Sequence, residues 1–599
     1  MESTDQIANG FRMRRLSNAN SAALASDLFV RGRLWTLRRI ASLVAMAFGL
    51  AIVWRIDGVQ LNTVFQRSTA QALWTLLRGL FPPDLSLGFL GVVFRALLST
   101  LATATAGTFL SVLIAIPLAA LSTSILWRRG ALVAADQGSR VAILRAAASR
   151  AVLAFLGFLR AIPDLVWGLL FVTAVGLGSL AGTLALAVAY AGVLGRIYAD
   201  AFADVDPRPL EALQSIGATR AQIFLRGIWP QARPTVIAYT LYSFECCVRA
   251  ASVLGFVGAG GIGYEISLSM RLFEYGQALT LILAFVVLLA STDVVSRRLR
   301  RSLQPNAGQA EAPGFGQENR ASRNGSIGPT LSRAGYALVG AIVAGSFYFA
   351  GFTPQHFGDA HVLGNMLRFW RGMFPPDLAE EFLLGMGPLL LQTLAISILG
   401  TIIGIALGGL LAIPATSTLV LVERDSPGLQ SASQRTLRWS ILCAARFALN
   451  VLRSIPDLVW VLLCIVVIGI GPFAGTLAIG LHTAGVLGKL YAETLEEAPR
   501  QPVEALRAVG AGPFQVLFWG LWPQAKRMLA SYTIVRWETN LRVSAILGLV
   551  GGGGLGQAVY NNVQLGFYAR LGTLLLLIYA LVMVSDWLGD SIFRRSVAT

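Results

Sequence analysis

Ionisable side chains stand inside long apolar segments at two matched places in each half of this sequence. They are Arg160 with Asp164 and Glu245 with Arg249, then Arg453 with Asp457 and Glu538 with Arg542. Such residues usually face a protein interior or a water-filled path for ions and polar solutes. A guanidinium offers a planar fork of donors that suits carboxylates and phosphorus oxyanions. The chemistry indicated is anion recognition without covalent catalysis.

Two explanations of these charges stay open. The i,i+4 spacing of Glu245 and Arg249 puts both on one helical face, so each acidic–basic pair could neutralise itself and lock helices together. Alternatively, the four arginines could line a two-fold path and meet a passing anion, with the acidic neighbours keeping its affinity low enough for release. Those four are Arg160, Arg249, Arg453 and Arg542.

Glycine-rich motifs invite a nucleotide-binding hypothesis that the sequence does not favour. The phosphate loop G-x-x-x-x-G-K-[ST] is absent, so the chain is not expected to cradle nucleotide phosphates. G-x-G-x-x-G occurs twice, within the glycine sets Gly258, Gly260, Gly261, Gly263 and Gly551, Gly553, Gly554, Gly556. A dinucleotide site would need a soluble βαβ unit, whereas each set follows an apolar run. Close helix packing, or a gate or hinge in a permeation path, is the favoured role.

Composition places these motifs in a membrane. The chain has 599 residues, of which 55% are hydrophobic and only 13% charged, about half the charge of a soluble domain. The net charge of +17 could indicate nucleic acid. Its arginines, however, lie in short stretches between apolar runs, as in cytoplasmic loops, so we expect lipid contact and no nucleic-acid partner. The four cysteines lie in apolar segments without metal-ligand spacing, which predicts neither disulfides nor a metal site.

The sequence repeats itself at one offset. The motif Phe-Pro-Pro-Asp-Leu at 81–85 recurs at 374–378, and Arg-x-Ile-Pro-Asp-Leu-Val-Trp at 160–167 recurs at 453–460, each 293 residues later. We predict an all-α polytopic membrane protein with about 12 transmembrane helices in two parallel six-helix repeats. The Arg-rich loops then put both termini in the cytoplasm. The predicted domains are a cytoplasmic tail (1–36), the first repeat (37–295), a flexible linker (296–333) and the second repeat (334–599).

One predicted cytoplasmic loop also occurs twice. It contains Glu211-Ala212-Leu213 and Gly217 in the first half, and Glu504-Ala505-Leu506 and Gly510 in the second. Each copy predicts a short helix, a glycine turn and a second helix. A single copy could be a plain surface hairpin. Two copies at equivalent places favour a pair of docking sites for a two-fold partner.

This loop resembles the EAA loop of permeases in binding-protein-dependent ABC importers. The segment 239–263 and both repeated motifs are similar to the phosphonate ABC transporter permease, here in a tandem fused form, and the resemblance covers both halves except the tail and linker. Two departures occur in each copy. Leu213 and Leu506 stand where a second alanine is expected, and Gly227 and Gly520 stand where an aliphatic residue is usual.

The resemblance implies a type I ABC importer permease-like fold in the bacterial cytoplasmic (inner) membrane. A solute-binding protein would deliver a phosphonate or related phosphorus oxyanion, and two ABC ATPase subunits would grip the loops around Glu211 and Glu504. Those subunits would bind ATP and Mg²⁺, so this chain would be no enzyme and hold no cofactor. An ion-gradient-driven secondary transporter with parallel repeats is the main alternative, and a regulatory scaffold without substrate flux is a third.

Three weaker signals remain in the sequence. His356 and His361 have H-x4-H spacing but no further ligands, so no metal site is predicted. His482 has Ala189 as its repeat counterpart, which excludes a symmetric role. The amphipathic segments 73–77 and 366–370 could lie in the membrane interface or form a rim for the binding protein.

Overall fold

The computed structural model of the chain describes residues 66–123, 140–303, 333–352, 360–421 and 432–598, together with Arg55 and Gly58. The chain forms two compact units, Met1–Ile56 and Asp57–Thr599, and the second unit contains all the repeated motifs. The predicted tail, almost all of the apolar run at 40–56 and most of the predicted linker lie outside the described ranges. The first linker residues belong to a helix that continues to Leu303.

Helices follow one another in the same order in both halves. The first-half helices are α1 (Arg67–Leu80), α2 (Leu87–Ser122), α3 (Arg140–Ala161), α4 (Asp164–Val175), α5 (Ser179–Ala203), α6 (Pro207–Ser215), α7 (Trp229–Leu254), α8 (Gly261–Arg271) and α9 (Tyr275–Leu303). A short α-helical turn at Arg220–Ile223 and a π-helical segment at Phe224–Ile228 lead into α7.

The second half begins with a helix whose repeat counterpart, at 40–56, lies almost entirely outside the described residues, and then repeats the series. Its helices are α10 (Arg333–Phe349), α11 (Ala360–Gly372), α12 (Glu380–Ala415), α13 (Ala432–Ser454), α14 (Asp457–Ile468), α15 (Pro472–Glu497), α16 (Arg500–Ala508), α17 (Trp522–Leu547), α18 (Leu555–Gln564) and α19 (Tyr568–Ala598). Short turns occur at Ser417–Val420 and Pro513–Gln515, and a π-helical segment at Val516–Leu521 leads into α17.

Seven described helices are long and apolar enough to cross a membrane, and there are up to ten spans if each bent helix pair counts as one. Helices satisfy their backbone polar groups internally, which hydrocarbon surroundings require. The part of the chain that the structure describes contains no β-strand. The prediction of an all-α, polytopic membrane protein is confirmed.

The third apolar segment of each half is not one straight span. α3 and α4 meet at 87°, and α13 and α14 meet at 96°. Proline interrupts the helix at each bend because it cannot donate a backbone hydrogen bond. The tryptophan that ends the repeated motif satisfies a carbonyl on the far side of the bend. The Trp167 indole donates to the Leu159 carbonyl at 3.3 Å, and the Trp460 indole to the Leu452 carbonyl at 3.1 Å.

The bend also explains why the motif carries a basic residue three positions before its proline and an acidic residue one position after it. Arg160 lies in the last turn of α3 and Asp164 in the first turn of α4. A helix C-terminus favours a cation and an N-terminus an anion, because the peptide dipoles align along the axis. Arg453 and Asp457 occupy the same positions around the second bend.

Sequence analysis did not predict the short helices α8 and α18, which follow the glycine-rich turns. In the first half the Ile262 amide donates to the Thr100 hydroxyl at 2.9 Å, and in the second the Leu555 amide donates to the Thr393 hydroxyl, also at 2.9 Å. Both contacts join the start of the short helix to the long helix α2 or α12. These equivalent bonds show that the repeats share an internal fold.

The repeats also pack against each other in a reciprocal way. The amphipathic helix α1 of the first repeat contacts α14 of the second, and α11 of the second contacts α4 of the first. Trp370 in α11 has its ring centroid 6.2 Å from that of Trp167 in α4. Leu76 and Phe369 in these helices are buried, so neither amphipathic helix lies wholly at a surface.

Candidate functional site at the repeat interface

Arg160 and Arg542 share one carboxylate across the repeat interface. Arg160 Nη2 lies 3.2 Å from Asp586 Oδ2, and Arg542 Nη2 lies 2.7 Å from Asp586 Oδ1. Asp586 belongs to α19 and Arg160 to α3, so the contact joins the two repeats. We call these three residues the Asp586 bridge. Its side chains remain 23–41% exposed, so they line an accessible part of the interface.

Glu245 pairs with another helix, whereas Asp164 accepts a hydrogen bond within its own helical turn. Arg300 Nη2 in α9 lies 3.0 Å from Glu245 Oε1, close enough for an ion pair although the angle is not that of a hydrogen bond. Asp164 accepts the Leu165 amide at 2.9 Å. The explanation in which Glu245 neutralises Arg249 is therefore wrong, because the long Arg300 side chain reaches Glu245 from a neighbouring helix.

Arg249 and Arg453 are the repeat counterparts of Arg542 and Arg160. Because the repeats pack reciprocally, we expect these two arginines to be the equivalent pair on the other side of the interface. Among the described residues, neither has a carboxylate within 4.0 Å. Both side chains are exposed. The structure thus joins two of the four predicted path arginines, Arg160 and Arg542, across the repeats through Asp586. Contact of any of the four with a substrate stays a prediction.

Asp457 has two basic neighbours that the sequence analysis did not assign to it. Its Oδ1 atom lies 3.7 Å from Arg536 Nη2 and 3.8 Å from His482 Nε2. His482 Nδ1 lies 2.9 Å from the Ile455 carbonyl. Pairing of Asp457 with Arg453 is therefore also wrong. Comparing the repeats at the 293-residue offset could have found Arg536, because an arginine stands there inside an apolar helix opposite Ser243.

A chain of polar side chains orients Arg536. Its Nε donates to the Thr483 hydroxyl at 3.3 Å, Thr483 donates to the Asn540 side-chain oxygen at 3.1 Å, and Asn540 donates to Thr401 at 2.9 Å. Buried polar groups need such partners. The first repeat has Tyr190 and Cys247 where the second has Thr483 and Asn540, so this network belongs to the second repeat.

The glycine-rich turns require glycine for two reasons, which are positive φ angles and close backbone packing. Positive φ angles occur at Gly258 (+99°), Gly260 (+75°), Gly261 (+73°), Gly551 (+98°), Gly553 (+77°) and Gly554 (+74°). A Cβ on Gly263 would lie 1.7 Å from the Ser252 carbonyl oxygen, and one on Gly556 would lie 2.7 Å from that of Ala545. Glycine is required there, whether or not the turns also move.

Two exposed hairpins lie at equivalent positions of the repeats. Glu211 and Ala212 are exposed on α6, and Glu504 and Ala505 are exposed on α16. The turns that follow have positive φ at Gly217 (+77°) and Gly510 (+81°), which predicts glycine there. Each short helix buries one aliphatic side chain, Leu210 or Val503, so its charged face points outward.

The two departures from the EAA pattern compensate each other in space. A Cβ on Gly520 would lie 3.0 Å from Leu506 Cδ1, and one on Gly227 would lie 3.2 Å from Leu213 Cδ1. The larger leucine in the short helix therefore occupies the space that a larger residue at the glycine would need. One volume-conserving exchange accounts for both departures.

Sequence comparison places this architecture in a family. The model for binding-protein-dependent transport system inner membrane components matches the chain twice, at residues 138–307 and 428–597. The chain belongs to this family. The predicted duplication of an importer component is confirmed, and the chain is a multi-pass membrane protein of a transport system.

Two relatives of this chain are named as permeases, and one similar solved structure is a transporter. The phosphate-import permease protein PhnE of Mycolicibacterium smegmatis is 31% identical over 91% of this chain and 92% of the relative. The phosphite transport system permease protein PtxC of Stutzerimonas stutzeri is 36% identical over 33% of this chain and 66% of the relative. A chain of the inward-facing MetNI methionine ABC transporter is 26% identical and covers 37% of this chain and 99% of its own, with a TM-score of 0.31.

The weak metal hypothesis finds no support in the described part of the chain. No group of three or more His, Cys, Asp or Glu side chains there could hold a metal ion. His356 and the side chain of His361 lie outside the described residues.

Proposed function

We propose that this chain is the transmembrane permease of an ATP-driven ABC importer and that it carries a phosphonate or related phosphorus oxyanion. The observation that carries the proposal is the pairing of arginines across the repeat interface. Arg160 meets Arg542 through Asp586, and Arg453 and Arg249 are their repeat counterparts. Charges inside spans favour a polar substrate path, and relatives of this chain are named as phosphate and phosphite permeases.

Two ABC ATPase subunits are the proposed partners of the paired hairpins. The exposed carboxylates of Glu211 and Glu504 stand on short helices that are held by one buried residue each. A two-fold motor requires two equivalent docking sites, and the duplicated chain offers both. ATP and Mg²⁺ are bound by those subunits, so this chain contributes motion and a path rather than catalysis.

The opposite end of the bundle is the proposed receiving face for a solute-binding protein. Phe81 and Phe374 of the repeated Phe-Pro-Pro-Asp motifs are 68% and 71% exposed, which supports contact with a partner or with lipid at that end. The arginine-rich stretches near the hairpins favour a cytoplasmic location for them and for both termini in the bacterial inner membrane.

The glycine turns are the proposed gate between the two faces. The Gly178 amide donates to the Gly258 carbonyl at 2.9 Å, and the Gly471 amide donates to the Gly551 carbonyl at 3.1 Å. Each turn thereby connects the end of a bent helix to the span that carries Arg249 or its counterpart. Movement of the bent helices would be transmitted to the arginine pairs through these bonds.

The test uses the complete transporter, with its ATPase and binding protein, reconstituted into vesicles. We expect the double variant Arg249→Gln/Arg542→Gln to abolish uptake of inorganic phosphate, phosphite or methylphosphonate while stimulated ATP hydrolysis continues. Normal uptake by this variant would reduce the arginines to scaffolding. Uptake by the unsubstituted complex without ATP would contradict an ABC importer.

A further inference from the structure

The two sides of the repeat interface differ in how their arginines are neutralised. On one side, Asp586 lies between Arg160 and Arg542 and contacts both within 3.2 Å. One carboxylate of the chain itself therefore bridges the two arginines on this side.

The opposite side has no equivalent bridge. The repeat counterpart of Asp586 is Asp293, whose Oδ2 lies 3.0 Å from Arg297 Nη1, one turn along the same helix. Glu245, the acidic neighbour of Arg249 on its own helix, is likewise paired with Arg300.

The same side carries additional basic residues. Asp457, which follows Arg453 at the second bend, has Arg536 at 3.7 Å and His482 at 3.8 Å. The first repeat has Ala189 and Ser243 where the second has His482 and Arg536. We call Arg249, Arg453, Asp457, His482 and Arg536 the cation pocket.

The cation pocket has an excess of positive charge and an unsatisfied donor. Three arginines against one aspartate leave a formal charge of +2 with the histidine neutral. Arg536 is only 13% exposed, and its Nη2 is buried without a hydrogen bond, since Asp457 is 3.7 Å away. Burying excess charge and an unpaired donor is unfavourable unless an anion compensates them.

We propose that the permease has one oxyanion site rather than two symmetric ones, and that this site is the cation pocket. Arg249 and Arg453 offer exposed side chains from the two repeats, and Arg536 offers a buried donor beside Asp457. A tetrahedral phosphorus oxyanion has several acceptor oxygens and matches this set of donors. The carboxylate of Asp586 performs the equivalent role on the other side.

Asp457 orients Arg536 and moderates the net charge, so that the anion is held without being trapped. The alternative is that Arg536 exists only to neutralise Asp457. The two explanations differ in what they predict when both charges are removed together.

The inference rests on the proposed function and is tested by three variants of the complete transporter in vesicles. Arg536→Ser installs the first-repeat residue, and Arg536→Ser/Asp457→Asn also removes the carboxylate that the first change exposes. Arg446→Ser/Glu496→Gln is the matched control, because it removes a 2.6 Å pair of the second repeat that lies outside the cation pocket. The probes are inorganic phosphate, phosphite and methylphosphonate.

We expect both Arg536 variants to lose at least about tenfold in uptake of the probe that the unsubstituted transporter carries. The control should stay within about twofold. Recovery of uptake in Arg536→Ser/Asp457→Asn would overturn the inference, because it would show that Arg536 only neutralises Asp457.

A second measurement separates this inference from the proposed function. Inorganic phosphate should raise the thermal unfolding temperature of the unsubstituted complex and of the control, but not of Arg536→Ser/Asp457→Asn. Failure of the unsubstituted complex to carry any probe would refute the proposed function. An equal temperature shift in all three proteins would refute the cation pocket whatever the uptake result.

Discussion

The paired glycines behind the hairpins allow a matched comparison of packing in the two repeats. A Cβ on Gly227 would lie 2.4 Å from Leu210 Cδ2, whereas a Cβ on Gly520 would lie 3.0 Å from Leu506 Cδ1. Leu210 is 2% exposed and cannot move aside. Leu506 is partly exposed, and the flexible end of its side chain can shift. We therefore expect alanine to be tolerated at Gly520 and not at Gly227.

The expected difference follows from two opposing effects. Alanine favours a helical conformation over glycine by about 1 kcal/mol, and this gain applies at both positions. Overpacking a buried site costs about 1–3 kcal/mol, and this cost applies mainly to Gly227→Ala. The two variants should therefore differ in unfolding free energy by roughly 1–3 kcal/mol, with Gly227→Ala the less stable.

The assay is thermal unfolding of the purified complex, together with ATP hydrolysis stimulated by the binding protein. Val503 is the counterpart of Leu210, so Leu210→Val should relieve much of the penalty of Gly227→Ala in a double-mutant cycle. Equal stability of Gly227→Ala and Gly520→Ala, or an unchanged penalty in the Leu210→Val background, would refute the packing argument.

Three further predictions concern the Asp586 bridge, the second helix bend and the loop that carries the second Phe-Pro-Pro-Asp motif. Asp586→Asn should weaken the repeat interface by about 1–2 kcal/mol, a partly exposed pair being worth less than a buried one; an unchanged unfolding temperature in detergent would contradict this. Trp460→Phe removes the 3.1 Å hydrogen bond from the indole to a carbonyl at the second bend and should lower the unfolding free energy by about 1 kcal/mol. Trp460→Tyr also lacks the indole donor, so thermal unfolding should show a similar loss in both variants. Hydrogen bonds from the Ala379 amide and then from Arg570 lower the pKa of Asp377, in the second Phe-Pro-Pro-Asp loop, below its usual 3.8. The ionised carboxylate therefore stabilises this loop above pH 3.8, and that stability is lost as the pH falls further. Limited proteolysis of the loop should therefore increase below pH 3.8 in the unsubstituted protein, and Asp377→Asn should abolish that pH dependence.

Several features could be predicted from sequence because they depend on local physics. Low charge and long apolar runs require a membrane, and the 293-residue repeat requires two similar folds. The proline in Arg-x-Ile-Pro-Asp cannot donate a backbone hydrogen bond, so it disfavours a continuous helix at that point. Gly217 and Gly510 were predicted as turns because glycine adopts positive φ without strain.

The partners of the charged residues could not be predicted from spacing. Glu245 and Arg249 are one helical turn apart, yet Glu245 pairs with Arg300 from another helix. Arg160 pairs with Asp586, which is 426 residues away along the chain. Long side chains reach whichever helix packs beside them, so only the packing decides these pairs.

The sequence by itself determined that the chain is a duplicated, helical membrane protein, since hydropathy and turn chemistry act within short segments and the repeat is read directly from the residues. Its resemblance to importer permeases supplied the expectation of a transporter component. The tertiary structure decided which pair of arginines is bridged by a carboxylate. It places Asp586 between one pair and leaves the other beside His482 and Arg536, a difference that arises because charges interact through space and not along the chain.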